Sequence, residues 1–145
     1  MKPLTVPGEL DSLGAIRHYV SEAAAQVGLD KKVTYRLQLA VDEIASNIIT
    51  HGYEQAGKTG DVTVEAKIDR HSLTITLEDT SAAFDPRPLE RPAHIDKPIH
   101  ERPIGGLGVY LAMENVDKFE YEYVNKRNRN IFIVRRPSND TVKPG

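Results

Sequence analysis

The sequence predicts an α+β fold: a two-layer α/β sandwich in which about three helices cover a mostly antiparallel sheet. Apolar residues recur at steps of three and four in the N-terminal half, which is typical of amphipathic helices. Four other segments alternate apolar and polar residues, as strands with one buried face do, and they are spaced as two hairpins. The 145 residues are long enough to form one domain with a substantial core, and no repeat or linker divides them.

The composition excludes several classes of protein. With 39% apolar and 28% charged residues the chain is typical of ordinary soluble proteins, and its formal charge of −2 gives no reason to expect nucleic acid as the main partner. There is no cysteine, so disulfides, thiolate metal sites and cysteine nucleophiles are excluded. No apolar run suggests a membrane span, and the N-terminus lacks the profile of a signal peptide. We therefore expect a cytoplasmic protein without a membrane partner.

The N-terminal half is predicted to contain a short strand and two helices. Leu4–Val6 is the strand, between two prolines, and Glu9–Val27 is the first helix, with Gly28 where a helix stop is expected. Asp30 is the expected N-cap of the second helix, which is predicted to end at Gly52.

The two hairpins supply the rest of the predicted sheet. Val62–Ile68 and Leu73–Leu77 alternate cleanly, and the tight connection Asp69–Ser72 joins them. Lys118–Val124 and Asn130–Arg135 form the second pair, with five residues expected between them. One face of this sheet is apolar and therefore needs a layer of helices over it.

The connection between the hairpins differs in kind from the rest of the chain. Ser81–Pro103 carries five of the nine prolines, so it can be neither a helix nor a central strand. A long irregular segment in a small domain is usually functional or disordered, and a flexible lid over a ligand and a plain surface loop both fit its composition. A third helix is predicted over Gly108–Asn115.

Polar residues at a spacing of four mark the second helix as a candidate site. Glu43, Asn47 and His51 follow one line beside the apolar stripe, where a buried face meets an open edge. A carboxylate and a carboxamide held there can share one ligand, such as a hydrated divalent cation. An ordinary solvated helix face has the same pattern. For His51 a packed or helix-capping role is expected.

Two further stretches carry groups that suit a ligand. Asp79 ends a strand beside small residues, where its carboxylate can accept a hydrogen bond from the exocyclic amine of a flat base. A turn-forming aspartate is the ordinary alternative. Gly105, Gly106 and Gly108 come just before the third helix, and a glycine-rich loop that enters a helix favours phosphate. It is neither a P-loop nor a Rossmann fingerprint.

The order of these stretches resembles the Bergerat-fold (GHKL) ATPase superfamily, which includes gyrase, histidine kinases and mismatch-repair ATPases. Within it the chain is most similar to the anti-sigma factor serine-protein kinases of the RsbW/SpoIIAB type. Three boxes carry the resemblance: AVDEIASNIITHGY at 40–53, EDTSAAFDP at 78–86 and GGLGVYLAMENVD at 105–117. It extends over essentially the whole chain.

The resemblance implies a role for each matching residue. Glu43 is similar to the general base that takes the proton of a substrate serine, Asn47 to the ligand of a magnesium ion on ATP, and Asp79 to the residue that contacts the adenine amine. The implied ATP-binding residues are Asn47, Asp79, Ser81, Phe84, Gly105, Gly106, Leu107, Gly108 and Asn130. The proline-rich segment at about 81–103 corresponds to the ATP lid.

The chain departs from the superfamily pattern in two places. Ser81 stands where glycine is usual. If the backbone needs a positive φ there, or a close approach to adenine, serine is expected to cost about 1 kcal/mol. The last strand usually opens Gly-Thr, whereas this chain has Arg129-Asn130, and Asn130 is the expected polar substitute.

The resemblance implies an ATP- and magnesium-dependent protein serine/threonine kinase, acting as an anti-sigma factor by partner switching. Its implied partners are a sigma factor and a STAS-domain antagonist that is the phosphoacceptor, and its implied state is a homodimer. The alternative is a nucleotide-sensing module that sequesters a partner without phosphorylating it. A histidine-kinase catalytic domain and a gyrase-type ATPase are less favoured, since the chain shows no dimerisation helix with a phosphorylatable histidine and is short for a second domain.

Overall fold

The computed structural model describes residues 1–87 and 112–137. The described part forms one antiparallel sheet with the strand order β1-β2-β3-β5-β4. The strands are β1 (Leu4–Pro7), β2 (Asp61–Ile68), β3 (Ser72–Asp79), β4 (Lys118–Val124) and β5 (Arg127–Arg135). Helices cover one face of this sheet, so the predicted α+β sandwich is confirmed.

Within residues 1–87, two α-helices form the second layer. They are α1 (Leu13–Gln26), after a 3₁₀ turn at Leu10–Ser12, and α2 (Lys31–Asn47), which continues as a π-helix over Ile48–Glu54. Asp30 caps α2 as predicted, because its side chain accepts a hydrogen bond of 2.8 Å from the amide of Val33. Gly28 adopts a φ of +74°, which confirms it as the stop after α1.

The predicted end of the second helix at Gly52 is wrong. The helical chain continues through Gly52 to Glu54, and the positive φ of +67° that a glycine supplies comes later, at Gly57. The buried side chain of Tyr53 explains the extension. Its hydroxyl donates to the carbonyl of Asp61 and accepts from the amide of Thr80, both at 2.9 Å, so burial and hydrogen bonding hold the last turn against the sheet.

The boundaries of the second hairpin also differ from the prediction. β5 begins at Arg127 rather than Asn130, and the turn consists of Asn125 and Lys126 alone, with φ values of +54° and +62°. Two successive residues with positive φ suit the right-handed twist of a tight hairpin, and asparagine tolerates this conformation. The consequence is that Asn128 and Asn130 lie within a strand.

The core lies between the two layers. Buried apolar residues of the sheet, among them Val64, Ile75 and Phe132, pack with Leu37 and Val41 of α2. Ala112–Glu114, inside the predicted third helix, is helical. The rest of that helix up to residue 111, and residues 88–103 of the predicted lid, lie outside the described residues.

Candidate functional site

A cavity of about 450 Å³ lies between the end of α2 with its π-helical extension, the end of β3 with the loop that follows, and β5. Its volume is in the range of small-molecule sites. The polar residues that line it are Asn47, His51, Asp79, Ser81, Asn128 and Asn130. The apolar residues that line it include Ile44, Ile48, Ala82, Ala83, Phe84 and Pro86. The structure therefore brings residues of the first two sequence boxes and of the last strand to one place.

Asp79 is the most deeply buried charged group of this cavity, with 1% of its surface exposed. Its Oδ1 atom accepts three hydrogen bonds, from the amide of Ser81 at 2.9 Å, the hydroxyl of Ser81 at 2.5 Å and Nδ2 of Asn128 at 3.1 Å. Its Oδ2 atom is buried and has no partner among the described residues. A buried carboxylate oxygen without a donor is costly, so this atom suits a ligand that brings an N–H group.

The positive φ that would make Ser81 costly is not present. The non-glycine residues with positive φ in the described ranges are Asn125 and Lys126, both in the hairpin turn, so Ser81 occupies an ordinary conformation. Serine has a positive role here instead, because both its amide and its hydroxyl donate to Asp79.

Asn130 supplies a second buried acceptor. Its side chain is 3% exposed, and its Oδ1 atom has no hydrogen-bond partner within residues 1–87 and 112–137. Asn130 lines the same cavity as Asp79, so two unpaired acceptors face one enclosed space. The cavity therefore favours a ligand with hydrogen-bond donors along one side.

Asn128 is a site residue that the sequence analysis missed. Its Nδ2 atom also donates to the carbonyls of Ser81 and Ala82, both at 3.1 Å. Its Oδ1 atom accepts from the amide of Phe84 at 3.0 Å and from the hydroxyl of Tyr121 in a short hydrogen bond. One carboxamide thus fixes the loop after β3 in place.

A signal for Asn128 was present in the sequence. Asn128, Asn130, Phe132 and Val134 alternate along β5, and all four are buried. Two asparagines in line with two core residues indicate polar groups on the apolar face, which usually have a specific partner. Placing the strand start at Asn130 put Asn128 in a turn and hid this pattern.

Phe84 lies in the loop that follows β3 and lines the cavity. Phe84 is 59% exposed although it lines the cavity, so its flat apolar ring is available at the opening. A planar ligand could stack or lie against such a ring without displacing any packed side chain.

Asn47 belongs to the helical wall of the cavity, and Glu43 lies one turn earlier on α2. Nδ2 of Asn47 donates to Oε2 of Glu43 at 3.3 Å, and Asn47 lines the cavity while Glu43 lies behind it. Burial raises the pKa of Glu43, against the opposing effects of the Asn47 hydrogen bond and of His51. A carboxylate with a raised pKa is a stronger proton acceptor than an ordinary one.

These groups fit a magnesium ion held mainly by a ligand's own oxygens. The described residues contain no cluster of three or more acidic or histidine side chains that could hold a metal by themselves. The amide nitrogen of Asn47 is engaged by Glu43, which leaves its carbonyl oxygen as a hard donor at the cavity. Magnesium is usually bound by one or two such protein oxygens together with substrate phosphates.

His51 was expected to be packed or helix-capping, and the structure excludes the packed role. It lies in the last turn of the π-helical segment, which fits the helix-capping role. It is exposed at the edge of the cavity, and its Nδ1 atom lies 2.7 Å from Oε1 of Gln55. Gly105, Gly106, Leu107 and Gly108, the predicted phosphate loop, lie outside the described residues, so their role stays a prediction.

Similarity to known proteins identifies the family of this chain. A family model for the histidine kinase-like ATPase domain matches residues 6–134, which is most of the chain. The chain belongs to the histidine kinase-like ATPase domain family. This ATPase domain is 30% identical over 118 residues to the serine-protein kinase RsbW of Halalkalibacterium halodurans, covering 81% of this chain and 72% of that protein. It is 26% identical over 120 residues to RsbW of Bacillus cereus, covering 81% and 74%. The resemblance to kinases of the RsbW type is confirmed.

Solved structures agree with this fold. A structure of the RsbU and RsbW domains of Rv1364c from Mycobacterium tuberculosis superposes with a TM-score of 0.58 at 15% identity, over 95% of this ATPase domain and 34% of that chain. The histidine kinase domain of a blue-light activated kinase from Erythrobacter litoralis gives 0.53 at 16% identity, over 84% of this chain and 60% of that one. Among the described residues, the helices are too short or too polar to span a bilayer.

Proposed function

We propose that this protein is an ATP- and magnesium-dependent protein serine/threonine kinase that acts as an anti-sigma factor. Its substrate would be a STAS-domain antagonist, and its second partner a sigma factor, as the kinship to RsbW suggests. We further propose that it is a homodimer in the cytoplasm and contacts neither nucleic acid nor membrane directly.

The observation that carries the proposal is the unpaired Oδ2 atom of Asp79 in the cavity of an ATPase domain. An adenine amine would provide the missing donor, and its ring would lie between the loop at Phe84 and the apolar residues of α2. Asn130 offers a second acceptor to the same ligand or to a water beside it.

The proposed reaction is transfer of the terminal phosphoryl group of ATP to a hydroxyl. Bound magnesium would neutralise charge on the phosphates. Asn47 would hold the ion through its carbonyl oxygen, and Glu43 would accept the proton of the incoming hydroxyl, which its raised pKa favours. Gly105, Gly106, Leu107 and Gly108 are proposed to contact the phosphates, with the segment at 81–103 as the lid.

The kinase proposal is tested with labelled ATP, magnesium and STAS-domain proteins from the same genome. Glu43→Gln should slow transfer by about a hundred- to ten-thousandfold while ATP binding is kept, because glutamine retains the volume but cannot take a proton. Glu54→Gln, an exposed acid at the end of the same helical segment, is the matched control and should transfer phosphate normally.

Two outcomes would contradict the kinase proposal. If the protein binds a STAS partner in a nucleotide-dependent way but phosphorylates none, the alternative function holds: a nucleotide-sensing module that sequesters a partner without phosphorylating it. If Asn47→Ala keeps the magnesium dependence of ATP affinity, the proposed metal ligand is wrong.

A further inference from the structure

The two oxygens of the Asp79 carboxylate are unequally occupied, and Ser81 is the main reason. Two of the three donors to Oδ1 belong to Ser81, and the hydroxyl contact of 2.5 Å is the shortest of them. Because Oδ1 is saturated, the carboxylate is held in one orientation, with Oδ2 as the remaining acceptor.

Gly52 packs against Ser81. A Cβ atom at position 52 would lie 2.8 Å from the hydroxyl oxygen of Ser81 and 3.0 Å from its Cβ, closer than such atoms approach. Gly52 does not have the positive φ that would otherwise explain a glycine. The π-helical segment therefore brings bare backbone against this serine, and glycine is needed there because Ser81 has a side chain.

Asn128, on the neighbouring strand β5, binds both Asp79 and Ser81. It donates to Oδ1 of Asp79 and to the carbonyl of Ser81 at 3.1 Å each, and Phe84 and Tyr121 hold its own oxygen. All three of Asp79, Ser81 and Asn128 are at most 6% exposed, so water does not compete freely for these bonds.

We propose that Ser81 is a positioning residue for base specificity, held between Asp79, Asn128 and Gly52. By fixing Oδ1 it makes Oδ2 the acceptor that meets the ligand, so the cavity favours a purine nucleotide with an exocyclic amine over one with a carbonyl oxygen at the same position. A carbonyl there would face a buried carboxylate oxygen without any proton between them. The inference rests on the proposed function, because it takes the ligand to be a nucleotide.

The test compares the affinities for ATP and for inosine triphosphate, which carries a carbonyl in place of the amine. Ser81→Ala removes the hydroxyl and should lower the ratio of the two affinities, by at most the roughly 10- to 150-fold that one hydrogen bond to a charged group contributes. Ser72→Ala is the matched control, since its hydroxyl also contacts an aspartate, Asp69, at the far end of β3, and should keep the wild-type ratio. A loss of stability alone would weaken binding of both nucleotides and leave the ratio unchanged.

A double-mutant cycle tests the contact with Gly52. Gly52→Ala should displace the serine and lower the ratio as Ser81→Ala does, whereas in a Ser81→Gly background it should add less than about a twofold change. An unchanged ratio in Ser81→Ala, or an equal effect of Gly52→Ala in both backgrounds, overturns the inference and leaves the proposed function standing. A wild-type protein that binds neither nucleotide overturns the proposed function and the inference with it.

Discussion

One aspartate precedes strand β3 and another ends it: Asp69 lies in the turn before the strand and Asp79 is its last residue. The two use the same local chemistry. Oδ1 of Asp69 accepts from the amide of His71, two residues on, at 2.7 Å, and Oδ1 of Asp79 accepts from the amide of Ser81, also two residues on, at 2.9 Å. Each also contacts the hydroxyl of a nearby serine. Judged by local sequence, both are turn-forming aspartates.

Burial separates them. Asp69 is fully exposed, and the amides of His71 and Ser72 lower its pKa, as in an ordinary turn. Asp79 is buried and receives a third donor from Asn128 on another strand. Its other oxygen has no partner among the described residues and lies at the cavity. The turn motif alone therefore does not make a site. A site requires a buried acceptor that is left over after the turn has formed.

The largest expected effect separates the two aspartates by nucleotide affinity. Asp79→Asn should weaken ATP binding roughly 10- to 150-fold, since a hydrogen bond from the ligand to a charged group is lost and an amide donor can face the amine. Asp69→Asn should leave the affinity unchanged. Titration calorimetry measures both, and circular dichroism checks that each variant folds. A loss for Asp79→Asn that is equal for ATP and GTP would contradict base recognition by this residue.

A smaller effect concerns the dependence of stability on pH, which has opposite signs for Asp69 and for Glu43 on α2. The lowered pKa of Asp69 means that its contribution is present above the ordinary value of 3.8 and lost as the pH falls through the folded value. Asp69→Asn should therefore lower the melting temperature at pH 7 and differ less from wild type in acid.

For Glu43 on α2, the raised pKa means that the charged form of its side chain is penalised in the folded state. Glu43→Gln should slightly raise the melting temperature at pH 7, and the gain should vanish below the ordinary value of 4.5. Thermal unfolding from pH 4 to 8 measures both variants. A gain that persists unchanged at pH 4 would show that packing, not charge, is its cause.

The smallest effect is expected for Tyr121→Phe. The hydroxyl of Tyr121 donates to Asn128, which the amide of Phe84 also holds, so its loss should leave the loop in place. We expect ATP affinity to fall only a few-fold. Tyr123→Phe on the same strand, with an exposed ring, is the control and should match wild type. A loss of ATP affinity as large as that of Asp79→Asn would mean that Tyr121 contributes more to nucleotide binding than its hydrogen bonds indicate.

Most of the fold could be predicted from the sequence because its elements depend on local patterns. The cap at Asp30, the stop at Gly28 and the hairpin at Asp69–Ser72 all involve atoms within a few residues of one another. The errors fell at element ends. There, tertiary contacts extended a helix through Gly52, and a two-residue turn replaced the five-residue connection before Asn130.

The sequence by itself determined which groups are available: Glu43 and Asn47 one turn apart on a helix, Asp79 at the end of a strand, and the resemblance that links them. Only the tertiary structure decided that Asn128, 49 residues from Asp79, donates to it, and that Gly52 leaves room for Ser81. Sequence periodicity reports which face of an element is buried, whereas the pairing of two buried polar groups depends on strand register and on how closely the helix packs on the sheet, which are set by the packing of the whole core.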